Sequence, residues 1–345
     1  MHGMREPGAT GRLAECGRTL WTDPEKRRFL LIPGAITALI VLAFVAAFTV
    51  LSGDAREKAL DTLIQGTLVG GVYALIALGV VVVFKSSRVF NLAHGGILML
   101  FAFLIWWLLH PQEMGLPLPV VLLVVLAAGA VLGLVVERVL MRPMIGRGDL
   151  IPFIVTLFLG FSVVEGVVRM VWGGSNPIMP DIFPTESLRY TRLACFLVAT
   201  GMFLVFVAYF RYTRSGLAMR CVSEDHVVSQ SIGISVKKTL AVAWMIGGLS
   251  AAVGGLLLGV IWPVDEGMGG LAMVRALPVL LLGGIESVPG AFFGALIIGL
   301  AENVGRFYID PHVRGFSEIL PLILMLAILI ILPNGLFGQK GLRRI

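Results

Sequence analysis

Long apolar runs separated by short charged segments dominate this sequence. A helix that crosses the ~30 Å hydrocarbon core of a bilayer needs about 17–25 mostly apolar residues, and core helices of soluble proteins rarely stay uncharged for that length. Ten runs are candidate spans: residues 29–51, 60–84, 90–109, 118–137, 151–171, 193–210, 239–262, 271–283, 287–304 and 316–332. The sequence therefore predicts an all-α fold, a polytopic transmembrane bundle of about ten helices with the lipid bilayer as its solvent.

Composition supports this class and excludes others. Of the 345 residues, 57% are hydrophobic and 14% are charged, whereas a soluble domain carries roughly 25% charged residues. So few charges exclude a disordered chain and a nucleic-acid-binding domain. The three scattered cysteines provide neither a disulfide framework nor a CxxC zinc pair. We expect no metal, no cofactor and no nucleic-acid partner.

The run at 271–283 is shorter than the others. Its 13 residues cover only about 20 Å as a helix, and Pro278 lacks the N–H that a helical hydrogen bond needs. This run is expected to be either a short or broken span or a re-entrant segment buried against its neighbours.

The placement of basic residues predicts the orientation. If the N-terminus is cytoplasmic, the inner segments hold 19 Lys and Arg residues and the outer segments hold 7, with Arg275 inside a span. Cytoplasmic loops carry such an excess. Both termini are therefore predicted to be cytoplasmic, and the run at 271–283 is counted as a crossing.

Motifs for an energy source are few. The phosphate-binding GxxxxGK[ST] loop is absent from the sequence, and no arrangement of residues indicates enzymatic catalysis. Glu165 and Arg169 are four residues apart and predict an ion pair on one helix. Glu302 and Glu318 lie near span ends, within reach of polar surroundings, so His94 is the best intramembrane candidate for a proton-coupled role.

Glycine pairs spaced four residues apart are frequent among the 42 glycines. The pairs are Gly66 and Gly70, Gly129 and Gly133, Gly255 and Gly259, and Gly290 and Gly294. Such small-xxx-small pairs let helix backbones approach closely. They predict a tightly packed bundle, which a transporter, a channel or a receptor could equally have.

The longest predicted cytoplasmic loop, residues 211–238, contains a predicted helix at about 216–231 that ends with Gly233 as its C-terminal cap. The loop is either a solvated connector or a contact surface. It resembles the cytoplasmic coupling loop of permease subunits in ATP-binding-cassette importers, in which an acidic residue is followed about nine positions later by Gly. Glu224 and Gly233 fill those places, so the resemblance assigns ATPase coupling to Arg220, Glu224, Asp225 and Gly233.

Three further segments are similar to signatures of the branched-chain amino acid permease family, in its high-affinity leucine, isoleucine and valine branch. They are Gly-Gly-Val-Tyr-Ala-Leu-Ile-Ala-Leu-Gly at 70–79 with Phe-Asn-Leu-Ala-His-Gly at 90–95, Leu-Gly-Gly-Ile-Glu-Ser-Val-Pro-Gly-Ala-Phe-Phe-Gly-Ala at 282–295, and Pro-Asn-Gly-Leu-Phe-Gly at 333–338. The resemblance covers about residues 60–340. The tail at 1–28 and the span at 29–51 lie outside it.

The resemblance implies a transport subunit of the bacterial inner membrane. It implies separate ATPase subunits, a second permease subunit that is identical or homologous, and an external solute-binding protein. Branched-chain amino acids are the implied solutes, while related permeases serve urea or short amides. The alternatives are a secondary transporter or channel that works without ATPase, and a membrane scaffold or sensor subunit.

Four residues are candidates for the translocation path or for a polar clamp between helix ends. Asn91 and His94 are three apart, which predicts that they share one helical face, at the cytoplasmic end of a span. Gly95 and Gly96 directly after them permit either a bend or a close helix approach. Arg275 either extends to the outer headgroups or lies near the opening through which solute enters. Glu286 and Pro278 depart from the family pattern in this region.

Overall fold

The computed structural model describes residues 53–144, 148, 150–173, 176–180, 182, 188–224, 226–332 and 335–337. The chain divides into two compact units, residues 1–61 and 62–345, and the helical bundle belongs to the second. The predicted tail at 1–28 and the predicted span at 29–51 lie outside the described residues.

Every regular element of the described chain is helical, as the sequence predicts. The α-helices are α1 (Gly53–Ser87), α2 (Ala93–Leu109), α3 (Leu118–Val135), α4 (Leu150–Phe158), α5 (Glu165–Trp172), α6 (Leu188–Tyr212), α7 (Arg214–Glu224), α8 (His226–Ser231), α9 (Val236–Ile261), α10 (Met268–Gly283), α11 (Val288–Val304) and α12 (Phe316–Ile331). A transmembrane helical bundle accounts for all of them except the short pair α7 and α8.

Six of the described helical stretches are long and apolar enough to cross a bilayer. They contain α1, α3, α4 with α5, α6, α9 and α11. Three shorter apolar helices, α2, α10 and α12, have 16 or 17 residues. The predicted short run at 271–283 is α10, which continues through Pro278 without a break.

The helices form an inner and an outer group. In α1 and α9, 89% and 78% of the most apolar 18-residue window is buried inside the protein, compared with 28% in α3, in Leu150–Trp172 and in α6. Most residues of α2 are also buried. Among the described residues, α3 to α6 therefore leave most of their apolar surface exposed, whereas α1, α2 and α9 pack mainly against protein.

Glycines bring neighbouring helices into backbone contact, as the predicted pairs require. A methyl group added at Gly129 of α3 would lie 2.8 Å from the Gly248 carbonyl oxygen of α9. One added at Gly70 of α1 would lie 2.8 Å from the Ala295 carbonyl oxygen of α11. Both distances leave no room for a side chain, so each pair of helices depends on the absence of one.

Three helices contain a π-helical turn, in which the hydrogen bonds span five residues rather than four. These turns are Val136–Met141 after α3, Leu159–Val164 between α4 and α5, and Gly305–Ile309 after α11. The first holds the buried carboxylate of Glu137, which Arg142 binds through two hydrogen bonds of 3.1 and 3.0 Å. A buried carboxylate is tolerated in an apolar helix when it is paired in this way.

Candidate functional site

Glu302 of α11 is the centre of a buried network of charged side chains. Its Oε1 atom lies 3.2 Å from Nη2 of Arg275 on α10 and 2.9 Å from Nη2 of Arg306. Its Oε2 atom accepts a 2.7 Å hydrogen bond from the hydroxyl of Tyr73 on α1. The network therefore connects three helices through one carboxylate.

Trp262, directly after α9, completes the network. The Arg275 guanidinium carbon lies 4.6 Å from the centre of the Trp262 ring, and this ring is 6.0 Å from the ring of Tyr73. A cation over an indole face is stabilised by the electron density of the ring. The positive charge of Arg275 is thus held by a carboxylate and by an aromatic face.

The structure decides one alternative for Arg275 and shows what surrounds Glu302. Arg275 does not extend to the outer headgroups, because its side chain is only 8% exposed and Glu302 supplies a buried counter-charge. Glu302 lies near the end of α11, as expected, and its polar surroundings are two arginines and the Tyr73 hydroxyl rather than water, because its side chain is 1% exposed. The ion pair predicted between Glu165 and Arg169 is present at 2.6 Å.

Asn91 and His94 lie at the start of α2, among other helices. Asn91 precedes the helix and His94 is in its first turn, so the expectation that one helix carries both on one face is wrong. Both residues do lie at the end of a predicted span, since α2 is the run at 90–109. A methyl group at Gly160 would lie 2.8 Å from Cα of Ala93, and Gly160 is about 15 Å along the helix from Leu150, so α2 begins beside the middle of the stretch Leu150–Trp172.

Both polar side chains are buried, Asn91 to 2% and His94 to 1% relative exposure. The Oδ1 atom of Asn91 and the Nε2 atom of His94 have no hydrogen-bond partner among the described residues. The His94 ring faces Gly79 of α1, where a methyl group would lie 2.9 Å from Nε2. Buried polar atoms normally have partners, so the lack of one within the described chain distinguishes these two side chains from most buried polar groups.

Gly95 brings the starts of two short helices together. A methyl group added at Gly269, near the start of α10, would lie 2.7 Å from the Gly95 carbonyl oxygen, and one added at Gly95 would overlap the Gly269 carbonyl in return. The close approach predicted for Gly95 is therefore present. The contact places the first turns of α2 and α10 side by side.

The loop predicted to couple to an ATPase contains α7 and α8, which together occupy the predicted helical segment. Thr213 fixes the turn from α6, since its Oγ1 accepts the Gly216 N–H at 3.0 Å and donates to the Tyr209 carbonyl at 2.7 Å. On the other side, Val222 packs with Val236 and Leu240 of α9. The two helices are thus attached to α6 at one end and to α9 at the other.

The outer face of α7 is exposed. Arg214, Leu217 and Arg220 are three residues apart and share this face, and the Leu217 side chain is 54% exposed. Glu224 is the last residue of α7, while Asp225 lies outside the described residues. The surface formed by Arg214, Leu217 and Arg220 combines positive charge with an apolar centre.

Gly233 ends this segment as predicted. Its φ is +85°, its N–H donates to the Gln230 carbonyl at 3.0 Å, and the Ile234 N–H donates to the Ser229 carbonyl at 2.9 Å. This pair of bonds is a Schellman cap, which favours glycine because other residues are strained at such a φ.

No sequence pattern indicated the roles of Tyr73 and Trp262. Arg275 and Glu302 each lie in one of two neighbouring apolar runs, and charges inside membrane spans usually pair, so the sequence could have indicated that these two residues need each other as partners. Tyr73 and Trp262 carried no such signal, since aromatic residues are common in membrane helices. Among the described residues, no group of three His, Cys, Asp or Glu side chains could hold a metal ion.

A family model described as "Branched-chain amino acid transport system / permease component" matches residues 62–331. The chain belongs to this permease family. The resemblance carried by the sequence signatures is thereby confirmed, and the protein is a membrane permease component of a transport system.

Similar permeases match along most of their length. The high-affinity branched-chain amino acid transport system permease protein BraD of Pseudomonas aeruginosa is 30% identical over 307 residues, which are 83% of this chain and 98% of BraD. LivH of Escherichia coli K12, of the same description, is 27% identical over 305 residues, 83% of this chain and 97% of LivH. LivM of the same organism is 25% identical over 342 residues, 87% of this chain and 74% of LivM. No solved structure matches the permease.

Proposed function

We propose that this permease is the membrane subunit of an ATP-binding-cassette importer that moves branched-chain amino acids, or a related small polar solute, across the bacterial inner membrane. The segment of α7 and α8 carries the proposal, because a connector that merely joined α6 to α9 would need no exposed cationic and apolar face. We assign this face, with Glu224, Asp225 and Gly233, to the contact with a separate ATPase subunit.

The proposed assembly contains two permease subunits, ATPase subunits on the cytoplasmic side and an external solute-binding protein. The similarity to both LivH and LivM supports a partner of the same family, identical or homologous. The proposed topology has about ten spans with both termini cytoplasmic, an additional span at 29–51 after the tail at 1–28, and a permease domain at 60–340. It rests on the distribution of Lys and Arg between loops.

In the proposed mechanism, closure of the ATPase subunits on ATP displaces α7 and α8 as a rigid element. The displacement reaches the bundle at two places, the turn from α6 at Thr213 and the apolar contact of Val222 with α9. Helices whose backbones touch at glycines can then shift as rigid bodies. No covalent chemistry takes place in the permease.

We further propose that Asn91, His94, Gly95 and Arg275 belong to the path or to the helix junction that opens it. The partnerless atoms of Asn91 and His94 support the path, and the contact of Gly95 with Gly269 supports the junction. Replacing His94 with Gln separates the two roles. If His94 lines the path, the variant should have an altered KM for uptake. If His94 only clamps helix ends, the variant should have lower thermal stability and an unchanged KM.

Uptake by reconstituted proteoliposomes tests the proposed function. Liposomes that contain the permease, its second subunit, the ATPase and the binding protein should take up leucine only with ATP inside. Uptake by the permease alone, undiminished without ATPase and ATP, would show a secondary transporter or channel instead. Uptake of urea or a short amide in place of leucine would change the substrate and retain the mechanism.

A glycine variant tests the coupling segment. Gly233→Val strains the backbone at φ +85° and should abolish uptake while the protein still inserts into the membrane. Gly201→Val is the matched control, because Gly201 of α6 has open space around its Cβ position and no left-handed φ. Equal uptake by the two variants would remove Gly233 from the coupling mechanism.

A further inference from the structure

Arg88, directly after α1, has a backbone conformation that arginine rarely adopts. Its φ is +59°, and it is the one residue other than glycine with a left-handed φ among the described residues. Its N–H donates to the Phe84 carbonyl at 2.8 Å and ends the helix. Glycine is the usual residue at such a helix end. An arginine that remains in a strained position indicates that its side chain has a use.

The guanidinium group of Arg88 makes two kinds of contact. Its Nε and Nη2 atoms donate to the Ser223 carbonyl oxygen at 3.2 and 2.7 Å. Its Nη1 atom lies 3.4 Å from Oε1 of Glu286. Arg88 thus connects the end of α1, the end of α7 and the turn between α10 and α11.

Each contact has a physical reason. Ser223 lies in the last turn of α7, where carbonyl oxygens carry the negative end of the helix dipole and favour a cation. Glu286 lies in the turn that begins with Gly284 at φ +95° and that starts α11, where Ser287 Oγ accepts the Gly290 N–H at 3.0 Å. This turn joins the two helices that hold Arg275 and Glu302.

We propose that Arg88 is a positioning residue that transmits movement of α7 to the turn between α10 and α11, with Glu286 as the receiving group. The inference rests on the proposed function, in that α7 is taken to bear the ATPase contact. It adds a third connection to those at Thr213 and Val222, and this one leads to the turn that joins the two helices of the charged network. Glu286, which departs from the family pattern, provides a contact that a glycine could not.

The two contacts of the Arg88 side chain differ in strength and in their sensitivity to salt. The Ser223 bonds have a charged donor, which makes them stronger than neutral hydrogen bonds. The side chains of Arg88 and Glu286 are 49% and 45% exposed, so salt screens their attraction. Coupling through Glu286 should therefore weaken as ionic strength rises, whereas coupling through Ser223 should change less.

The number of solute molecules moved per ATP hydrolysed by the reconstituted complex tests the proposal. Arg88→Gly suits the left-handed backbone and removes the side chain, and we expect it to lower this ratio about tenfold, in line with the loss of charged hydrogen bonds. Glu286→Gln should lower it about two- to fivefold, as a half-exposed ion pair allows. Arg138→Gln, at an exposed arginine of the π-helical turn after α3, is the control and should leave the ratio unchanged.

Two results would overturn the proposal. An unchanged ratio for Arg88→Gly, with ATP hydrolysis intact, would show that the link carries no movement. Loss of ATPase binding by that variant would make Arg88 part of the docking surface instead. If the unaltered complex shows no ATP-dependent uptake, the proposed function fails by itself.

Hydrogen exchange of the permease alone tests the link without any partner. Arg88→Gly should raise exchange at the end of α7 and also at the amides of residues 285–288, whereas Arg138→Gln should raise neither. Faster exchange at α7 alone would show that Arg88 caps α7 without connecting it to the turn at residues 285–288, and would refute the link.

Discussion

Replacing Glu302 with Gln should destabilise the permease more than replacement of any exposed carboxylate. The change keeps the size of the side chain, and the amide oxygen can still accept the hydrogen bond from Tyr73. It leaves the 8% exposed cation of Arg275 without its carboxylate. Removal of one partner of a buried ion pair costs about 3–5 kcal/mol. Because Trp262 still holds the cation, we expect a loss of about 3 kcal/mol, the lower end of that range.

A double variant separates the unpaired charge from other effects of the substitution. Arg275→Met combined with Glu302→Gln removes both buried charges at similar side-chain volume, a change that is often neutral or stabilising in proteins. The double variant should therefore recover about 1–3 kcal/mol relative to Glu302→Gln alone. Arg306 contributes little to this difference, since its side chain is 42% exposed and such pairs are worth at most about 1 kcal/mol.

Reversible unfolding by sodium dodecyl sulfate in mixed micelles measures these free energies. Glu318→Gln is the control, because this carboxylate is exposed in the first turn of α12 and its loss should cost less than about 1 kcal/mol. A loss for Glu302→Gln no larger than for Glu318→Gln, or additive losses in the double variant, would refute the reasoning that Glu302 compensates a buried cation.

Other substitutions test the packing, the capping and the loops. Gly129→Val should destabilise the contact of α3 with Gly248 by about 1–3 kcal/mol through overpacking, measured by the same unfolding assay. Ser287→Ala should cost about 1 kcal/mol, because α11 loses its N-terminal cap, again in that assay. Hydrogen bonds from Ser317 lower the pKa of Asp310 below its usual value of 3.8. The ionised carboxylate therefore stabilises the fold above about pH 3.8, and this stabilisation is lost as the pH falls through the lowered pKa. Asp310→Asn should therefore flatten the acid limb of a thermal unfolding profile, and an unaltered limb would contradict the assignment.

The fold class followed from the sequence because a bilayer restricts what an apolar run can become. Each of the nine predicted spans after residue 60 corresponds to a helix or to a helical stretch of the described chain. The run at 271–283 shows the limit of that reasoning. Pro278 suggested a break, but helix geometry continues when tertiary contacts around the proline replace the missing hydrogen bond.

The geometry of local features was predictable, whereas for distant segments the sequence indicated at most which charges need a partner. The cap at Gly233 and the ion pair of Glu165 with Arg169 depend on residues within five positions of each other, so spacing predicts them. The pairing of Arg275 with Glu302 and the link from Arg88 to Glu286 depend on how helices pack. Sequence spacing holds no information about which side of a neighbouring helix a charge will meet.

The π-helical turn Leu159–Val164 gives its span one residue more than a regular α-helix with the same ends would have. An α-helix advances about 100° per residue, and a π-helical turn accommodates one extra residue. Deleting one residue there would leave hydropathy and membrane insertion nearly unchanged. Because the wider turn absorbs the extra residue, the deletion would restore a regular α-helix and keep Arg169 beside Glu266, which it now contacts at 2.7 Å. A deletion in the regular helix on either side would instead rotate α5 by about 100° and separate the two side chains. In alignments of such permeases, a one-residue gap should therefore be tolerated at the π-helical turn and should accompany a change of ion pair when it falls elsewhere in this span.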